Sequence, residues 1–187
     1  MNEILQKVKE FADKAHGDQL RKYTKQRYIV HPVEVMEICC EYTDNISILA
    51  AALLHDVLED TPVTRDQLEA FLLTVMSPKD AKKTVELTVE LTDVYTKEAY
   101  PKFNRRVRKD KEHARGAKTS WGAQTIKYAD IISNSVDITK HDRSFGPRFL
   151  HEVRSQLKTM NQGHPQLYKR AVETVEKCLR EMGKVES

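Results

Sequence analysis

The stretch ISILAAALLHDVLEDT, Ile46 to Thr61, decides the fold class. From Ile46 to Leu58 it is apolar on nearly every side of a helix, and a helix without a polar face belongs in the middle of a domain. Its end carries His55, Asp56, Glu59 and Asp60. His55 and Glu59 are four residues apart, as are Asp56 and Asp60, so each pair shares a helical face. So much charge at the end of a buried helix is costly unless a metal or counter-charge compensates it. Helix C-termini also disfavour acids through the macrodipole.

Outward from this segment the apolar spacing stays helical. Ile4, Leu5, Val8, Phe11, Ala12 and Ala15 form one stripe, followed by a polar stretch from Gly17 to Arg27. His31-Pro32 reads as a helix start, with Pro at the first helical position. Thr64-Arg65-Asp66-Gln67 is a capping-box pattern, and Ser77-Pro78 opens a helix running to about Thr92. A helix is expected from about Gly122 to Thr139, and Pro147 and Pro165 introduce two more. No period-2 strand is visible. The expectation is an all-α helical bundle forming one domain over residues 1–187, with C-terminal helices from 141 onward.

Composition agrees. Gly and Pro together are 12 of 187 residues, about half the usual share, which favours long helices. The longest apolar run, Ile48 to Leu54, has seven residues, too few to cross a bilayer. The charged N-terminus has no secretory pattern. Three cysteines make no disulfide framework and fit a reducing cytoplasm. The adjacent Cys39 and Cys40 read as core residues, and Trp121 as packing.

A His-Asp dipeptide alone says little. Fewer than one is expected from shuffling and the chain has two, the second being His141-Asp142 in a polar run read as a solvated loop. The setting of His55-Asp56 distinguishes it. His31, just before Pro32, and Asp130, on a polar stripe with Lys127, Asn134 and Asp137, complete a possible metal site. Two imidazoles and two carboxylates suit a divalent ion, Mn²⁺ first, with Fe²⁺ or Zn²⁺ as alternatives. Such an ion polarises a phosphoryl oxygen and acidifies bound water. Glu59 and Asp60, just beyond the ligands, are candidates for moving protons. His16 reads as structural or as a support for the site.

His31, His55-Asp56 and Asp130 resemble the H…HD…D signature of HD-domain metal phosphohydrolases. Further anchors occur in order: His16-x-x-Gln19-x-Arg21-Lys22, Tyr28-Ile29-x-His31-Pro32, Ala51 through Thr61, Leu91-Thr92-Asp93, Pro101-Lys102 and the segment from Gly122 to Asp137. Together they resemble the hydrolase domain of the RelA/SpoT homologues, especially the stand-alone small alarmone hydrolases, over roughly residues 3–140. The resemblance implies an all-α, Mn²⁺-dependent enzyme. Such an enzyme removes the 3′-pyrophosphate of guanosine tetra- and pentaphosphate, (p)ppGpp. It implies His31, His55, Asp56 and Asp130 as metal ligands and Glu59 with Asp60 as the catalytic acidic pair. It implies Arg21 and Lys22 beside the base, Lys102 at a phosphate and Asn134 in the substrate site. Tyr128 stands where Leu is usual, Ile131 replaces a common basic residue and Val136 a common Arg. The loop between Lys22 and His31 lacks the usual Gly.

Residues 97–118 hold nine Lys and Arg against three acids, a net +6, while the whole chain is +3. A polyanionic nucleotide substrate accounts for this concentration. It also fits a solvated loop in which only one or two residues function. A nucleic-acid surface is the rival reading, disfavoured because Phe103 is the one aromatic interleaved from 102 to 118. Two alternatives stand beside the alarmone hydrolase. One is an HD phosphohydrolase of another nucleotide: an adenosine alarmone, NADPH or a deoxynucleotide. The other is a non-catalytic nucleic-acid-binding module. No membrane partner is expected.

Overall fold

Local capping chemistry sets where helices begin in the computed structural model, which describes residues 2–183. Asn2 accepts the Leu5 amide and opens α1 (Glu3–His16). The next helix, α2 (Val30–Cys40), starts one residue before His31, so Pro32 lies inside its first turn rather than at its first position. Asn45 accepts from the Ser47 and Ile48 amides at the head of α3 (Ile46–Leu54). The short α4 (Val57–Asp60) follows, then α5 (Arg65–Val75) and α6 (Pro78–Leu91). The Thr64–Gln67 capping box is formed in both directions, at 3.3 and 2.9 Å. Ser77 caps α6 through the Asp80 amide, with Pro78 in its first turn. Each such cap contributes about 1 kcal/mol.

These helices make up one compact unit, Met1–Thr92. At its centre is α3, packed by α1, α2 and α6. Every residue from Ser47 to Leu54 is buried, and Ala50 to Leu54 expose nothing. The apolar helix expected to reach Leu58 stops at Leu54, and the reason is local. The His55 ring places Nδ1 2.8 Å from the Ala52 carbonyl, the acceptor that the Asp56 amide would use in an unbroken helix. His55 and Asp56 therefore stand in a turn between α3 and α4. Between α1 and α2 the chain makes a strap closed by Arg21 N–Gln26 O (2.8 Å) and Tyr28 N–Gln19 O (2.9 Å). Lys25 takes a positive φ of 55° there, the position at which a Gly would be unstrained. Burial pushes the Cys39 thiol up to about 12, so it is inert, while Cys40 is exposed rather than core.

The second unit, Asp93–Ser187, holds α7 (Arg105–Gly116), α8 (Trp121–His141), α9 (Gly146–Thr159) and α10 (Pro165–Gly183). Here α8 packs against α9 and α10, and α7 packs against α9. Most of the basic stretch is helix rather than loop. Asn104 caps α7, and Glu112 accepts the Val94 and Tyr95 amides at 2.7 and 2.6 Å, tying the preceding loop down. His141 ends α8 while Asp142 lies just beyond it in the connection to α9, so this second His-Asp pair straddles the helix end. Tyr128, where the resemblance leads one to expect Leu, is fully buried. Its hydroxyl donates to the Met160 carbonyl at 2.8 Å and accepts from the Gly163 amide at 3.1 Å. It thereby pins the α9–α10 connection to α8.

Among the described residues the architecture is all-α, with one isolated bridge, Leu20–Arg27, and no strand. No described helix is long and apolar enough to cross a membrane.

Within the second unit Arg105 makes a two-pronged contact with Glu152, at 2.9 and 2.7 Å, and Arg148 adds a third bond at 3.3 Å. Burial pushes the Glu152 carboxyl up, but the two guanidinium groups outweigh it and hold it below its usual range. A depressed pKa means stability that is present at neutral pH and lost as pH falls through the folded-state value. Glu152→Gln is therefore expected to lower the melting temperature at pH 7. That difference should begin to narrow near about pH 4, where the unfolded carboxyl protonates, and close only once the pH falls below the lower folded-state value. Thermal melts of both chains across this range check it.

Candidate metal and nucleotide site

His31 enters from the first turn of α2, and His55 and Asp56 from the turn that ends α3. Both rings are buried and Asp56 is half-buried. One ligand atom from each lies within 4.8 Å of the others. His31 Nε2 and His55 Nε2 are 3.9 and 3.0 Å from the same Asp56 oxygen. A carbonyl can only accept, so the contact with Ala52 fixes the proton of His55 on Nδ1. The neutral ring then presents the Nε2 lone pair to the site. This is how metal-binding histidines are held. A lone pair 3.0 Å from a carboxylate oxygen needs a proton or a cation between them. The donor set and its spacing thus fit a divalent cation.

Three residues support this cluster: Tyr28 and Gln19, which their sequence pattern alone did not assign to it, and His16, read there as structural or as a support. Tyr28 donates its hydroxyl proton to Asp56 at 2.6 Å and orients the carboxylate. His16 lies against the Tyr28 ring, centroids 4.5 Å apart, and its Nδ1 is 2.9 Å from Gln19 Oε1. Gln19 in turn reaches Asp60 at 3.5 Å, the limit of a hydrogen bond. Their place in the motif string was the available signal; the strap that delivers Tyr28 to Asp56 is a tertiary feature.

Glu59 and Asp60 lie on α4, whose first turn is closed by the Asp60 amide on the Asp56 carbonyl at 2.8 Å. Both are at the surface. Partial burial of the Asp60 carboxyl, with the neighbouring Asp56 charge, raises its pKa against the opposing pull of Gln19, His16 and Tyr28. A carboxylate so raised is a better base than a free one. Arg21 is held at 3.3 Å from Glu34, and Lys22 lies over the Tyr23 ring at 4.7 Å, exposed.

The remaining candidates belong to the second unit. Asp130 is buried on α8, and both its oxygens are engaged, by Lys127 at 2.7 Å and by Asn134 at 2.6 Å. These three line a cavity of about 120 Å³ together with Arg105, Lys109 and Glu152. Lys109 is itself 3.2 Å from Asp93. Lys102 is exposed in the loop before α7. The structure thus brings His31, His55 and Asp56 together in one unit, and Asp130 with Asn134 in the other.

The HD-domain family pattern matches residues 28–135, more than half of the chain. The chain is 34% identical over 134 residues to the human guanosine-3′,5′-bis(diphosphate) 3′-pyrophosphohydrolase MESH1, covering 70% of this chain and 67% of that protein. It is 42% identical over 67 residues to the enzyme of that name from Aquifex aeolicus, of whose length it spans only 10%. A solved structure of a metazoan ortholog of SpoT that hydrolyses ppGpp superposes with a TM-score of 0.77 at 22% identity, covering 98% of this chain and 97% of that one. The fold, the His-Asp turn and the length of the match agree, and the chain belongs to the HD-domain family, in the group of relatives that includes MESH1.

Proposed function

We propose that the protein is a metal-dependent hydrolase of guanosine tetra- and pentaphosphate, yielding the nucleoside 5′-phosphate and pyrophosphate. The observation that carries this reading is the His31–His55–Asp56 donor cluster, found in a chain whose relative MESH1 is a named 3′-pyrophosphohydrolase. By the family's motif, Asp130 is the fourth donor, and Mn²⁺ is the preferred ion. A bound divalent cation supplies Lewis acidity to a phosphoryl oxygen and lowers the pKa of water.

The chain's own residues do the rest in this reading. Tyr28 Oη and the Ala52 carbonyl hold Asp56 and His55 in their ligating orientations. The Asp60 carboxylate, with Glu59 beside it, takes a proton from the attacking water. That water's oxygen bonds to the phosphorus next to ribose O3′, the O3′–P bond breaks, and O3′ gains a proton. Arg21 and Lys22 flank the base. Lys102 contacts phosphate and Asn134 the substrate. The free thiols fit a cytoplasmic setting.

Incubation with guanosine tetraphosphate is expected to release pyrophosphate when Mn²⁺ is present and none after chelation. Release of inorganic phosphate instead, from NADPH or an adenosine alarmone, would move the assignment to another nucleotide. Inactivity toward all of these with Mn²⁺ present would sink the enzymatic reading.

A further inference from the structure

α8 is used on two sides. Asp130 and Asn134 lie on one. At 100° per residue, Ile132, Val136 and Thr139 lie about 180–240° around the helix from Asp130. That opposite side, with α10, walls a second cavity of about 530 Å³. Its lining includes the apolar Ile132, Val136 and Met182, and Lys140, Arg143, Arg170 and Lys177 against the single acid Glu181, which lies 3.9 Å from Lys177. Val136 is 52% exposed there. Thr139 also lines the cavity, with its hydroxyl turned into the protein, where it makes no hydrogen bond among the described residues.

Helix-end electrostatics explain only part of this. Lys140 sits in the last turn of α8, where a cation offsets the macrodipole. Arg170 and Lys177 do not end α10; they are seven residues apart within it, on one face, and turn toward the same space as Arg143. A net charge of +3 is thus gathered around one cavity, the same excess the whole 187-residue chain carries. The volume falls in the range of small-molecule sites, about 300–1,000 Å³. Guanidinium groups suit phosphate oxygens through paired N–H bonds, and the apolar part of the lining offers surface to a flat ring.

We infer that this α8–α10 cavity is a second ligand site, distinct from the metal cluster, for a phosphorylated small molecule of nucleotide size. Its phosphates would lie at Arg143 and Lys177 and its ring on Ile132 and Val136. The inference stands whether or not the protein hydrolyses an alarmone.

The test is amide-resolved NMR of the full chain, titrated with guanosine diphosphate in the presence of a chelator. Concentration-dependent shifts are expected at Val136, Thr139, Arg143, Thr174 and Lys177. They should persist in His55→Ala. In the double variant Arg143→Glu/Lys177→Glu, on exposed positions, the apparent affinity should fall by roughly tenfold or more, with an unchanged melting temperature. Uncharged guanosine should produce no such shifts. Shifts confined to the surroundings of His31, His55 and Asp130, equal shifts from guanosine, full retention in the double variant, or no response at millimolar nucleotide would each overturn the proposal.

Discussion

Asp56→Ala is expected to release no measurable pyrophosphate from guanosine tetraphosphate and to purify without its divalent ion, while keeping its helix content. The same holds for His55→Ala. Loss of an outer partner of a metal ligand costs about 10–100-fold in affinity or activity. Loss of a donor itself should therefore exceed roughly 100-fold. Tyr28→Phe supplies the graded comparison. It removes only the 2.6 Å bond that orients Asp56, so metal affinity should drop within that 10–100-fold range and excess Mn²⁺ should restore much of the rate. Asp56 is at the edge of the cluster rather than in the apolar core, so its removal leaves the packing of α3 intact. Metal content, turnover and a thermal melt on the three variants decide the matter. Full activity in Asp56→Ala or His55→Ala would refute the assignment of the metal site. A rate in Tyr28→Phe insensitive to added metal would refute only the orienting role.

The second large effect is expected far from any chemistry. Gly163 in the α9–α10 connection has no room for a methyl group. A Cβ there would lie 2.5 Å from Tyr128 Cε2, 2.8 Å from the Thr125 amide nitrogen and 3.0 Å from the Gln124 carbonyl carbon. Two of those three atoms are α8 backbone and cannot swing aside. The neighbouring amides are also committed, Gln162 to the Gln124 side chain at 2.8 Å and His164 to the Thr125 hydroxyl at 2.9 Å. Relief of the clash would pull these bonds apart as well. Gly163→Ala should cost on the order of 3 kcal/mol, a fall of about 6–12 °C in melting temperature for a chain of this size. Gly183→Ala, where nothing approaches within 4 Å, is the control and should melt like the parent. A Gly163→Ala chain as stable as the parent would show that the connection yields where the packing says it is fixed.

What the sequence discloses about this fold is mostly local. Caps and prolines announce helix starts because their hydrogen bonds join residues two or three apart, as at Thr64–Gln67 and Ser77–Asp80. Burial all round α3 is legible because Ser47 is the one polar residue in it before His55. Other features depend on contacts that periodicity does not encode. The break after Leu54 comes from a ring-to-carbonyl bond. α7 lacks an apolar stripe, since Glu112 and Gly116 are its buried residues, so its composition reads as solvated loop. The division at Thr92–Asp93 carries no Gly- or Pro-rich linker. At the site, His55, Asp56 and Asp60 were visible as a charge cluster on an apolar helix. The contribution of Tyr28 depends on a strap whose closure spans residues 19–28. Asp130 was legible as part of a polar stripe with Lys127, Asn134 and Asp137, and the engagement of both its oxygens is a matter of side-chain placement.

The complete enclosure of α3 has a consequence for how the protein fails. Core helices exchange their amide protons only through global opening, whereas frayed ends and loops open at little cost. His55 hangs from the last turn of such a helix, anchored to a carbonyl that belongs to it. The imidazole therefore has no private route out of place. Heat or denaturant that dislodges it is expected to melt its surroundings as well, so this half of the cluster should be lost together with the core of its unit.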